Sequence, residues 1–177
     1  MEKPLKKISF DNCTIRPSED AAYIFCNVFK SRLYTLKLVD FLPSINNWLK
    51  AYAEVDGSAL KQLNVAIKAS ELQTIDKTSL FKCFKNQGRE FCLLFDVKNV
   101  TDVMAVEQSL KLLFDGYFNR EIKNHAFRKY VCVAFNFKSA EYGPYGKEFK
   151  YYYVLRKECV KHAPRVGTPE IPFGFFE

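Results

Sequence analysis

A chain of 177 residues is long enough for one well-buried core and short for two, and at 48% hydrophobic and 27% charged it is a folded protein rather than a disordered one. Lys, Asp or Asn breaks every apolar run before the roughly 20 residues that a membrane-crossing helix needs. The N-terminus, Met1-Glu2-Lys3-Pro4-Leu5-Lys6-Lys7, is followed by no apolar stretch of the kind a secretory signal carries. The net charge of +7 is unevenly placed: Phe118–Glu177 holds 11 Lys and Arg against 6 Asp and Glu, while residues 1–60 and 61–117 each hold 8 against 7.

In chain order, residues 1–20 read as a basic arm with one short strand around Ile8-Ser9-Phe10, ending in polar residues and Pro17. The Tyr, Ile, Phe and Val content of 22–29 and 33–39 predicts two strands with a turn near Lys30-Ser31. Pro43 stops that run. Ser44 is then an N-cap candidate for a helix carrying Ile45, Trp48, Leu49, Tyr52 and Val55, which Asp56-Gly57 ends. Ser58–Leu72 fits either a helix, through Leu60, Leu63, Ile67 and Leu72, or a strand at Asn64-Val65-Ala66-Ile67. Segments 80–84 and 90–97 flank Lys85-Asn86-Gln87-Gly88 and predict a hairpin. Asn99 or Thr101 caps a helix over 101–115 on which Val103, Val106, Leu110, Leu113 and Phe114 share a face.

Residues 129–138 form the strongest strand, and the turn-rich 140–146 leads to a second one at 148–157, giving a long antiparallel hairpin. Alternation puts Phe149, Tyr151, Tyr153 and Leu155 on one face and Lys150, Tyr152, Val154 and Arg156 on the other. A Cys-x-x-Phe pattern recurs at Cys26, Cys92 and Cys132, which similar strands in one sheet explain without duplication. The expected architecture is therefore α+β: a single domain over 21–162 with a largely antiparallel sheet and two or three packed helices. The arm 1–20 precedes it, and an irregular Pro/Phe-rich tail, 163–177, follows.

Chemistry-bearing motifs are few. No phosphate loop, dinucleotide fingerprint, nucleophile elbow or zinc-protease helix occurs. The six cysteines, at 13, 26, 83, 92, 132 and 159, contain no CxxC pair, and His125 and His162 are the only histidines, so neither a zinc site nor a disulfide framework is expected. Most of these thiols lie in apolar runs and read as buried and reduced, which fits a reducing compartment, cytoplasm or nucleus. No cofactor and no small-molecule substrate is indicated.

What remains is basic charge interleaved with tyrosine. Cations neutralise phosphates and rings offer bases a stacking face, so the hairpin predicts a non-enzymatic protein that binds an acidic partner, foremost RNA or another single strand. The expected contacts are Arg128, Lys129, Lys150, Tyr152, Arg156, Lys157 and Lys161, against the competing expectation that the Phe and Tyr rings are core and the lysines a wet face. A second reading is a self-assembling, matrix-type viral structural protein that bridges a ribonucleoprotein and an anionic membrane surface as a homo-oligomer. An enzyme with a dispersed site drawn from Cys159, His125 and His162 ranks last.

Overall fold

Helix and strand alternate along most of the chain in this computed structural model, which describes residues 5–13, 20–40, 44–55, 58–121, 129–142 and 146–160. The order is β1 (Lys7–Asp11), α1 (Ala21–Phe29), β2 (Thr35–Val39), α2 (Ile45–Glu54), β3 (Gln62–Lys68), a 3-10 segment (Ala69–Thr74), α3 (Lys77–Asn86), β4 (Cys92–Lys98), α4 (Val103–Phe114), β5 (Phe118–Glu121), β6 (Tyr130–Phe137), a 3-10 turn (Ala140–Tyr142), β7 (Lys147–Leu155) and α5 (Lys157–Val160). The seven strands form one sheet in the order β1-β2-β3-β4-β6-β7-β5. The first five positions run parallel; β7 is antiparallel to β6 and to β5.

The expected largely antiparallel sheet with two or three helices is therefore corrected to a mixed, mostly parallel sheet with more helices than foreseen. Two misread segments account for the difference. The run 22–29 is α1, not a strand: Ala21, Ala22, Phe25, Cys26 and Phe29 follow a helical period, but Ile24 and Val28 stay exposed on the opposite face and hide it. The expected strand 80–84 lies within α3, whose inward Leu80, Cys83 and Phe84 keep helical spacing. Its start is set by Asp76, whose carboxylate accepts from the Thr78 and Ser79 amides. Once both are helices, strands separated by helices must be parallel. The open segment 58–72 resolves as β3, and α2, α4 and the β6–β7 hairpin stand where periodicity placed them.

The core lies on one side of the sheet. The row Ile8, Leu36, Leu63, Leu93, Val131 and Tyr153 faces the helices, and Leu36, Leu63, Leu93 and Val131 are fully buried there. Trp48 on α2 packs against Phe10 and Phe25, with ring centroids 6.1 and 5.3 Å away. Phe84 on α3 meets Phe91 and Phe118, and Phe114 on α4 stacks on Tyr153 at 4.0 Å. Topology explains the one-sidedness. From β1 to β4 each crossover advances in the same direction across the sheet, and right-handed crossovers that never reverse direction all lay their helices on the same face. The opposite face carries none of them.

Candidate nucleic-acid interface

A parallel sheet is normally sheathed on both sides, so the uncovered face is the first place to look for function. Register builds it row by row. One row reads Ser9, Lys37, Asn64, Leu94, Cys132, Tyr152, and the next, toward the carboxyl ends of the parallel strands, reads Asp11, Val39, Ala66, Asp96, Ala134, Lys150. Small and apolar residues, Val39, Ala66, Leu94 and Ala134, are interspersed there with Lys37, Asn64 and Asp96. Tyr130 on β6 and Tyr152 on β7 lie side by side, ring centroids 6.0 Å apart at 65°. Each is tied to a thiol of a neighbouring strand, Tyr130 to Cys92 and Tyr152 to Cys132. Both thiols are buried although they belong to the open face, consistent with the rings lying over them. That burial pushes the Cys92 thiol up to about 11 and raises the Cys132 thiol as well.

Three cations of this face are paired. Lys37 reaches Asp11 at 3.8 Å, Lys98 reaches Asp96 at 2.5 Å and Lys150 reaches Glu148 at 2.8 Å. The Glu148 hydrogen bond, with its charge behind it, holds the Lys150 ammonium above its ordinary value. All three pairs are about half exposed, and ion pairs of that kind stabilise by roughly 0–1 kcal/mol, so a phosphate can take the place of the carboxylate.

The residues expected to contact phosphate do not form one surface. Lys150 and Tyr152 share the open face. Lys129 turns inward: its ammonium donates to the carbonyls of Lys85 and Gln87, at 3.1 and 2.5 Å, and lies 5.0 Å above the Phe84 ring. It thus caps the C-terminal end of α3, and burial lowers its pKa to about 8. Arg156 bonds the Phe118 carbonyl and pairs with Asp115, both at 3.3 Å, clamping the end of β7 to the α4–β5 connection. Lys157 is exposed at the start of α5. Arg128 and Lys161 lie outside the described residues, as do His125, His162 and the tail 163–177. The sequence reading missed Tyr130, although extending the alternation back from Val131 puts it on the same face as Cys132.

A second cleft, of about 470 Å³, opens at the carboxyl ends of β1 to β3, where α/β proteins commonly hold ligands. Two of its polar side chains, Asn46 and Glu71, are already in use. Asn46 donates to the Thr74 carbonyl and accepts from the Asp76 amide, both at 2.8 Å, and Glu71 accepts from the Lys68 amide at 2.6 Å. These bonds join the start of α2 to the segment before α3. Among the described residues no group of three or more His, Cys, Asp or Glu could hold a metal ion, and no helix is long and apolar enough to cross a membrane.

Among the described residues the molecule is thus a two-layer α/β protein whose sheet has one helix-covered face and one open face. Compared with protein-family models, with curated proteins and with solved structures, the chain gives no match.

Proposed function

We propose that the open sheet face binds single-stranded nucleic acid, RNA foremost, with Tyr130 and Tyr152 as the stacking platform. The observation that carries this reading is the side-by-side tyrosine pair on a sheet face that, among the described residues, no helix covers, with the Lys150 strand neighbour one residue pair away. Base–aromatic stacking contributes about 1–3 kcal/mol per base and needs no particular sequence, which suits a flat face with few directional donors. Lys150, Lys98 and Lys37 supply phosphate contacts by exchanging their carboxylate partners. A sheet face that offers rings and lysines together is the arrangement that single-strand-binding sheets use.

The test is anisotropy of a fluorescent single-stranded RNA across a salt series. Wild type is expected to bind at low salt, and Tyr152→Ala to weaken binding about tenfold through loss of one stacked base. Lys150→Gln is expected to reduce the log–log salt slope by roughly 0.7. Absence of binding at low salt ends the reading. The alternating charges of the face, Asp11 and Lys37, Asp96 and Lys98, Glu148 and Lys150, favour one other occupant, a second copy of the chain. Sedimentation that finds a dimer, split by Leu94→Asp, in a protein that ignores RNA is the result that favours that assembly instead.

A further inference from the structure

β1 is the outermost strand of the sheet, and among the described residues β2 alone pairs with it. The ladder to β2 is framed by the Lys6 carbonyl, which accepts from the Thr35 amide at 3.1 Å, and by the Asn12 amide, which donates to the Val39 carbonyl at 2.9 Å. In a parallel ladder the backbone groups of successive residues point to opposite sides. Positions 6, 8, 10 and 12 therefore serve β2, while the amides and carbonyls of Lys7, Ser9 and Asp11 are directed away from the sheet. The outward Asp11 carbonyl is met by the Cys13 thiol, a weak donor, at 3.2 Å. A row of this kind is a template for a further strand.

The side chains of β1 fit a second copy of β1. Set antiparallel about a two-fold axis at Ser9, the strand meets its own image with Ser9 on Ser9 and Lys7 on Asp11 at both ends, and the outward groups of all three residues close on one another. Between them, on the helix side, Ile8 opposes Phe10 in the closer type of antiparallel pair. Both are half-buried in the single copy, even though Phe10 packs on Phe25 and Trp48 at 5.4 and 6.1 Å. Sliding the pairing by two residues loses the charge match, because Lys7 then meets Ser9 or Cys13. The Asp11 carboxylate, 55% exposed, accepts the Ser9 hydroxyl at 3.0 Å and lies 3.8 Å from Lys37, which leaves room for a cation from the other copy.

The helix above this edge agrees. Tyr23 on α1 lines the groove toward α2 with Asn47 and Lys50, and helical spacing turns Ile24 and Val28 to the other flank, where they are 55% and 61% exposed. With strands about 4.8 Å apart, a helix seated over the β1–β2 interval stands about 10 Å from its two-fold image, an ordinary helix-packing distance. Ile24 and Val28 then meet their counterparts above the joined strands.

We propose that two copies of the chain join through β1, as an isologous dimer with one continuous sheet and paired α1 helices. The proposal does not rest on RNA binding, which is assigned to Tyr130 and Tyr152 on β6 and β7.

Sedimentation equilibrium of the full chain tests it, with a dimer expected at micromolar concentration. Ser9→Pro removes an outward amide and no bond to β2, and is expected to give a monomer that circular dichroism shows to be folded. Lys7→Glu and Asp11→Lys each set like charges against one another at both ends, and each is expected to weaken the dimer by about tenfold or more. Mixed in equal amounts, these two variants bring opposite charges together again at both ends, and a mixed dimer of near wild-type affinity is expected. Misfolding of either variant could not produce that rescue. Leu94→Asp, on the open face, is expected to leave this dimer intact. A monomer at every concentration, a dimer indifferent to Ser9→Pro, no rescue on mixing, or a dimer split by Leu94→Asp overturns the assignment.

Discussion

The two faces of the sheet are made by the same strands yet follow opposite rules. On the helix side, Leu36, Leu63, Leu93 and Val131 form an unbroken apolar row with no exposure. One residue further along each strand, Lys37, Asn64, Leu94 and Cys132 form a row that alternates charge, amide, aliphatic and thiol. Strands buried on both sides read as continuous hydrophobic runs, whereas β2 and β3 are interrupted at Lys37 and Asn64 and β4 at Asp96. Polar residues such as Asn64 and Asp96 on the second face show that the sequence is adapted to water, or to a polar partner, on that side. The comparison separates two kinds of residue that composition alone mixes: those that hold the fold and those free to serve binding.

The largest expected effect tests that separation within one dipeptide. Leu93 is fully buried under the helices and Leu94 sits half-buried on the open face. Leu93→Ala is expected to destabilise by about 2–5 kcal/mol, because it leaves a cavity that the packed helices cannot fill. Leu94→Ala is expected to remain under about 1 kcal/mol, since little area returns to water. Urea unfolding of both variants measures the pair. Equal losses break the comparison and mean that the second face is also packed in solution.

A smaller effect follows from thiols on the covered side. Burial pushes Cys26 and Cys83 up to about 12, so the folded state keeps both protons where an unfolded thiol, ionising near 8.5, has lost them. Their contribution is complete below about pH 8.5 and falls away as pH rises toward 12. Lys129 acts in the opposite sense. Its lowered pKa of about 8 makes its share of stability rise with pH from about 8 to the unfolded lysine value near 10.4. Unfolding under reducing conditions at pH 8 and pH 10.5 is therefore expected to show a net alkaline loss, with these thiols and the raised Cys92 and Cys132 set against one amine. In Cys83→Ala this loss is expected to shrink by up to about 2 kcal/mol. A pH slope unchanged in that variant removes Cys83 from the titrating set.

Much of the fold was readable wherever one period dominates. The alternation from Val131 to Phe137 announces β6, and Val106, Leu110 and Leu113 announce α4. What failed was periodicity with apolar residues on both sides, as in α1, where Ile24 and Val28 face solvent. The cap at Asp76 carried the signal for α3 and went unused. Those two errors turned a parallel sheet into an antiparallel one, because pairing direction depends on what lies between strands. The open face could not be read at all, since it depends on strand order and crossover direction. Of the hairpin cations, alternation correctly separated Lys150 and Tyr152 from Tyr151 and Tyr153. Lys129 looked like a surface charge flanking a strand. Only the three-dimensional contact with the end of α3 shows that its ammonium serves backbone carbonyls.

The smallest effect in stability is also the sharpest for function, and it lies at the Glu148–Lys150 pair on the open face. Both side chains are about half exposed and their 2.8 Å contact spans i to i+2 on one strand. Glu148→Gln is expected to change unfolding free energy by less than about 0.5 kcal/mol. Its effect on single-stranded RNA should be larger in relative terms, because a phosphate no longer has to displace a carboxylate before Lys150 can neutralise it. Affinity at low salt is expected to rise about threefold, with a steeper salt dependence, whereas Lys150→Gln lowers affinity and flattens the slope. Opposite signs from two residues in contact, at nearly constant stability, are what a phosphate-exchanging pair produces. The same sign from both, or movement in stability alone, would leave β7 as structure and return the lysine to the role of an ordinary wet face.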